Sequence, residues 1–77
     1  IHNFSFVPQS ISIPKGTTIT WTNMDSASHT VTSDTGAFNS GILKTNDTFQ
    51  FTFNTPGTFT YHCSIHPNMK DTITVTG

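Results

Sequence analysis

An antiparallel β-sandwich or barrel is the fold class this sequence predicts, and three observations predict it. Apolar side chains recur with a period of two, Thr commonly fills the positions between them, and turn residues punctuate the runs about every 8–12 residues. Val, Ile, Phe and Thr are also the side chains that fit a pleated, half-buried surface. No stretch carries a helical period.

The elements follow in chain order. "FSFV" places Phe4 and Phe6 on one face of an opening strand, which begins almost at Ile1 and is expected to be truncated by a few residues. After Pro8, "SISIP" alternates Ile11 and Ile13, and "PKG" marks a turn at Pro14 to Gly16. "TITW" alternates Ile19 and Trp21, and "HTVT" puts His29 on the face of Val31. Two polar pieces, Asn23 to Ser28 and Ser33 to Gly41, interrupt the strands and are the expected functional loops. "KTND" is a further turn, "FQFTF" alternates Phe49, Phe51 and Phe53, and "TPG" turns the chain again. "FTYHC" alternates Phe59, Tyr61 and Cys63, leaving His62 on the wet face with Thr58 and Thr60, and "ITV" closes with Ile73 and Val75.

Seventy-seven residues imply one domain, residues 1–77. A core of this size supplies only about 3–5 kcal/mol, so a metal or a disulfide would help. The single cysteine rules out an internal disulfide. Lys15, Lys44 and Lys70 face Asp25, Asp34, Asp47 and Asp71, for a net charge of −1 and no basic run, which argues against nucleic acid as a partner. No apolar run approaches the roughly 20 residues of a membrane span. The chain opens at Ile1 with neither an initiator Met nor a signal peptide, and reads as a mature or excised segment.

The chemistry concentrates in "YHCSIHPNMK", Tyr61 to Lys70. Strand alternation sends Cys63 inward beside the equally inward His29, and His66 and Met69 follow on the next loop. A C-x-x-H-x-x-M turn lets three side chains point back to one centre, with Pro67 stiffening it between His66 and Met69. One Cys, two His and a weak Met form the donor set of a blue-copper electron-transfer site. Each residue alone has a plainer reading: Cys63 as inert core, His29 as a hydrogen-bonded core histidine, Met69 as a gap filler and Met24 as rim packing. Zinc also takes Cys and His, but would want a fourth strong ligand in place of Met69.

The chain resembles the cupredoxins. The residues that carry the resemblance are "NFSFVPQSISIPKGTTITWTN", "DSASHTV" and "GTFTYHCSIHPNMKDTITV", which together span nearly the whole sequence, and "CSIHPNM" is most like the loop of amicyanin-type and small plastocyanin-like proteins. The resemblance implies a Greek-key sandwich holding one copper per chain, with His29, Cys63, His66 and Met69 as ligands. It implies a one-electron carrier rather than an enzyme, a monomer cycling between Cu(II) and Cu(I). Redox protein partners would dock transiently near His66, rimmed by Ile65, Pro67, Pro8, Met24 and Ala27. Such carriers work outside the cytoplasm, in a periplasm, a thylakoid lumen or at an outer cell surface. Two departures bear on tuning: Thr30 stands where the family often has a bracing Asn, and Phe59 where many relatives have a Tyr.

Other readings compete. His62 precedes the thiolate as in copper nitrite reductases and multicopper oxidases, where such a His binds a second, catalytic copper. Only His2, expected as an exposed residue of the first strand, is spare to support it, so His62 is read as solvent-facing. Copper carriage or storage, and a metal-free Ig-like binding module, are the remaining alternatives. "NFS" at Asn3 and "NDT" at Asn46 match the glycosylation pattern, a short match.

Overall fold

A computed structural model describes residues 1–2, 4–7 and 9–77. The turn at Pro8, the place of Pro8 on the His66 rim and the glycosylation match at Asn3 lie outside the described residues. Six strands form: β1 (Ile11–Pro14), β2 (Thr17–Thr22), β3 (Thr32–Ser33), β4 (Thr48–Phe53), β5 (Gly57–His62) and β6 (Lys70–Thr76), and no helix occurs among the described residues. They divide into a sheet in the order β1-β6-β5-β3 and a β2-β4 pair.

Three of the four pairings are antiparallel, and β1 runs parallel to β6, with Ile11 opposite Ile73. Chain distance explains the exception. β1 and β6 lie at opposite ends of the sequence and are joined by no hairpin, so nothing forces them antiparallel. The "PKG" turn is where the chain changes sheets. Lys15 N–H bonds Thr76 O at 2.7 Å, while the next amide, Gly16 N–H, bonds Phe53 O at 2.6 Å in the other sheet. The φ of +87° at Gly16 suits glycine there.

Aromatic rings hold the layers together. Trp21 of β2 meets Tyr61 of β5 edge-on at 5.6 Å and stacks on Phe38 at 5.8 Å, and Phe53 of β4 meets Phe59 of β5 at 5.3 Å. Such edge-to-face pairs add about 0.5–1.5 kcal/mol each beyond their buried area. The Ser33–Gly41 loop delivers Phe38 into this core and ties back through Ser40 N–H to Val31 O at 2.9 Å. An apolar ring amid polar neighbours is a plug, and burial decides its direction.

The opening segment departs from expectation most. Phe4 is 53% exposed and Phe6 only 1% exposed, so the two do not share a buried face. His2 and Ser5 exchange backbone hydrogen bonds of 2.9 and 3.0 Å, which closes a tight turn where a strand was expected. His2 is exposed, as expected, but on that turn. Phe4 takes φ +56°, a left-handed conformation that costs a non-glycine residue roughly 1–2 kcal/mol. The turn breaks the alternation, sending Phe6 onto Tyr61 at 4.7 Å and Phe4 elsewhere.

Candidate metal centre

β5 and β6 pair up to His62 opposite Lys70, and the ladder continues one step further through Cys63 N–H to Met69 O at 3.0 Å. Five residues, Ser64 to Asn68, thus bulge from the end of a continuous hairpin. Met69 N–H bonds His66 O at 2.9 Å, closing a β-turn with Pro67 at its second position, where the ring's fixed φ is favourable. This is the local reason that His66 is directed back over Cys63. Met69 is buried at the closure.

His29 arrives from the other side of the sandwich. Its backbone exchanges hydrogen bonds with Leu43, at 3.0 and 2.7 Å. The loop before it is latched by the fully buried Asn23, whose Nδ2 donates to Ala27 O at 2.9 Å and Leu43 O at 2.8 Å, and whose Oδ1 accepts from Asp25 N–H at 2.9 Å. His29 and Cys63 have no exposed surface, and His66 is half-buried.

The three donor atoms form a compact triangle. Cys63 Sγ lies 3.7 Å from His29 Nδ1 and 3.8 Å from His66 Nδ1, and the two Nδ1 atoms are 3.2 Å apart. A point equidistant from all three sits about 2.1 Å from each, within the range of metal–imidazole bonds and slightly short for a metal–thiolate bond. The residues therefore fit a metal at that centre.

The surroundings fix both the tautomer and the thiolate. With Nδ1 aimed at the centre, His29 donates Nε2–H to Asp25 Oδ2 at 2.8 Å, an acceptor that makes the imidazole a better ligand. Thr30 N–H donates to Cys63 Sγ at 3.3 Å in a buried setting. The Thr30 hydroxyl also accepts from Ser64 N–H at 2.8 Å and contacts Ser64 Oγ at 3.0 Å. Thr30 thus bridges the segments that carry His29 and Cys63. Phe59 has no hydroxyl to anchor, and the hydroxyl of Tyr61 bonds Asp71 Oδ2 at 3.0 Å instead.

His62 lies outside the triangle. It is half-buried on the sheet face, and its Nδ1 meets Asp34 Oδ1 at 2.5 Å. That hydrogen bond first, a second from Thr60, and the charges of His62 and Lys70 hold the Asp34 carboxyl below its usual range. Among the described residues, His29, Cys63 and His66 form the one group of three His, Cys or acidic side chains whose donor atoms converge. The Asn23–Ser28 loop, expected to be functional, brings Asn23 and Asp25 to the site, but sequence reasoning gave neither residue a role and missed Phe4. The signal available was Asp25 four residues before His29, but polar loop residues look alike in sequence whether solvated or folded back.

A buried, sulfur-containing, three-donor site on a rigid β-frame defines a soft-metal centre of the His₂Cys type, the trigonal arrangement that suits copper. The comparisons agree. A cupredoxin-like domain model matches residues 1–75, so the chain belongs to the cupredoxin-like family. Amicyanin-alpha of Methylorubrum extorquens is 32% identical over 80 residues, covering 97% of this chain and 67% of that protein. A purple cupredoxin from Nitrosopumilus maritimus superposes with a TM-score of 0.84 at 41% identity, covering 90% of this chain and 79% of that one. The Cu(I) form of a methionine-to-alanine variant of amicyanin superposes with a TM-score of 0.90 at 26% identity, covering 96% and 75%. Cupredoxins bind one copper, and His29, Cys63 and His66 are positioned for it.

Proposed function

We propose that this protein is a mononuclear type 1 copper protein that carries one electron between redox partners outside the cytoplasm. The observation that carries the reading is the Cys63–His29–His66 triangle, held by hydrogen bonds that make no use of a metal. Bound copper supplies the Cu(II)/Cu(I) couple. The chain's own part is to hold its ligands still, because a frame that need not rearrange between the two states keeps electron transfer easy.

Each residue has a role in that reading. Cys63 is the thiolate, with the Thr30 amide stabilising its charge. His29 is the inner imidazole, oriented by Asp25. His66 is the half-buried imidazole that would link a bound copper to a docked partner, and Met69, buried at the base of the loop, would be the fourth and weakest donor, a thioether. Phe4, Met24, Ile65 and Pro67 are exposed around this end of the molecule and offer an apolar docking rim. With so few charges, docking rests on shape and apolar contact, and is weak and transient.

A second, catalytic copper at His62 is the competing reading, and the engagement of His62 Nδ1 by Asp34 weighs against it. The test is direct. Titrating the apo-protein with Cu(II) should produce an intense visible thiolate-to-copper band at one copper per chain, and His62→Ala should leave that stoichiometry unchanged. A Cys63→Ser protein that binds copper and keeps the band would sink the proposal.

A further inference from the structure

Among the described residues, Phe4, Ser10 and Asn46 are the non-glycine residues with a left-handed backbone, and Phe4 is the aromatic one. It is an exposed aromatic in a left-handed conformation, on a turn that packs little of its ring into the core. A strained backbone persists only where its surroundings hold it, and such outliers cluster at functional sites. Here the holding contact is Asp25. Its Oδ2 accepts Phe4 N–H at 2.9 Å and lies 2.8 Å from His29 Nε2. One carboxylate oxygen therefore ties the N-terminal turn to a metal-facing imidazole.

The ring that results from this tie is aimed at the site. Phe4 meets His29 at 5.3 Å with an interplanar angle of 86°, and His66 at 5.1 Å with an angle of 81°. Both are edge-to-face contacts of favourable geometry. His29 is already fixed by Leu43, Asp25 and full burial. His66 is the half-buried member of the triangle, on a five-residue bulge, and Phe4 lines a shallow depression with it together with Ile65, Pro67, Asn68 and Met69.

We propose that Phe4 is a positioning residue of the copper site: an aromatic brace, docked by Asp25, that holds the His66 imidazole against the metal and screens it from water. The proposal rests on the copper reading above and assigns to the N-terminal turn a task that the four-ligand picture leaves out. It also gives the strained backbone a task, since the Asp25 hydrogen bond at Phe4 N–H comes with the ring's contacts to both histidines.

Two measurements test it, one of them without copper. In the apo-protein, Phe4→Ala removes the ring-current shift from both imidazoles, but it should broaden only the ring resonances of His66, leaving those of the independently fixed His29 sharp. In the copper-loaded protein, Phe4→Ala and Phe4→Gly should keep the thiolate band but surrender Cu(I) to a competing chelator about tenfold faster, the fold-change that one or two edge-to-face contacts convert to. Their reduction potential should fall, because water admitted beside His66 favours the more highly charged Cu(II) state. Phe4→Tyr, which keeps the ring, should match the wild type. Phe4→Gly relieves the left-handed strain, so its apo-form should be no less stable than wild type even as it releases copper faster. His66 resonances that stay as sharp as in the wild type, or Cu(I) release within about twofold of wild type in Phe4→Ala, would overturn the assignment, since the ring contacts would then hold nothing in place. A wild-type protein that shows no thiolate band would overturn the copper reading instead, and the apo resonances would still decide the role of Phe4.

Discussion

At the scale of single residues, Thr30 does two separable things. Its backbone N–H reaches the Cys63 sulfur, and its hydroxyl accepts the amide of Ser64. A Thr30→Val change keeps the first and deletes the second, leaving Ser64 N–H without this acceptor. Ser64 is exposed, so water takes over part of that bond and its loss costs only about 0.5–1.5 kcal/mol. Thr30→Val should therefore lower the unfolding free energy of the apo-protein by that amount, read as a lower denaturant midpoint at an unchanged slope. The visible band should keep nearly the wild-type energy, because the hydrogen bond to sulfur survives. A large spectral shift with little loss of stability would show that the hydroxyl tunes the thiolate rather than bracing the loop.

At the scale of elements, the β5–β6 hairpin carries both the site and a buried polar pair. Tyr61 and Asp71 face each other across the two strands. Tyr61 O–H donates to Asp71 Oδ2, while Asp71 Oδ1 accepts the amides of Ser10 and Thr72, both at 2.7 Å. Burial, chiefly, pushes the Tyr61 phenol well above its ordinary value of 10.0, against the hydrogen bond from Trp21 and with lesser help from the charge and hydrogen bond of Asp71. The native state thus keeps its proton where the unfolded chain releases it, so stability is full below pH 10 and falls as pH rises beyond it. Tyr61 is the single tyrosine, so its phenolate absorbance is a clean probe. It should stay silent in the folded protein above pH 10 and appear together with cooperative unfolding, and Tyr61→Phe should remove most of that alkaline slope. A simple non-cooperative titration near pH 10 would contradict the buried pairing.

This hairpin also shows what was legible in advance. Strict alternation in "FTYHC" and "ITV" gives the inward and outward faces of β5 and β6, because one face is buried and a one-residue slip would invert it. Phe4 and Phe6 carry the same two-residue spacing, yet a turn between His2 and Ser5 overrides it. Periodicity reports burial only where the backbone is extended. Cys63 and His66 were readable from their spacing and His29 from its inward face. Asn23 and Asp25 were not, since their importance depends on which backbone groups the loop folds back to meet.

At the scale of the whole molecule, a small sandwich with one cysteine depends on aromatic packing and on whatever its site holds. A ligand that binds only the folded state stabilises it by mass action, by about 4 kcal/mol at a thousandfold excess over Kd. For a chain of this size that corresponds to roughly 20 °C in melting temperature. Copper addition should therefore raise Tm strongly in the wild type and far less in Cys63→Ser. Equal melting with and without copper would remove metal from any account of this protein's stability.

The two arms of the triangle come from segments 34 residues apart, one anchored on Leu43 and the other on the β5–β6 hairpin. A metal bridging them is in effect a cross-link, closing a long loop much as a disulfide would, in a chain whose single thiol cannot make one. Unlike a disulfide, it is undone by competition for the metal rather than by cleavage of a covalent bond. Resistance of the intervening segment to proteases would then follow the supply of copper, making the durability of this protein a readout of the metal around it.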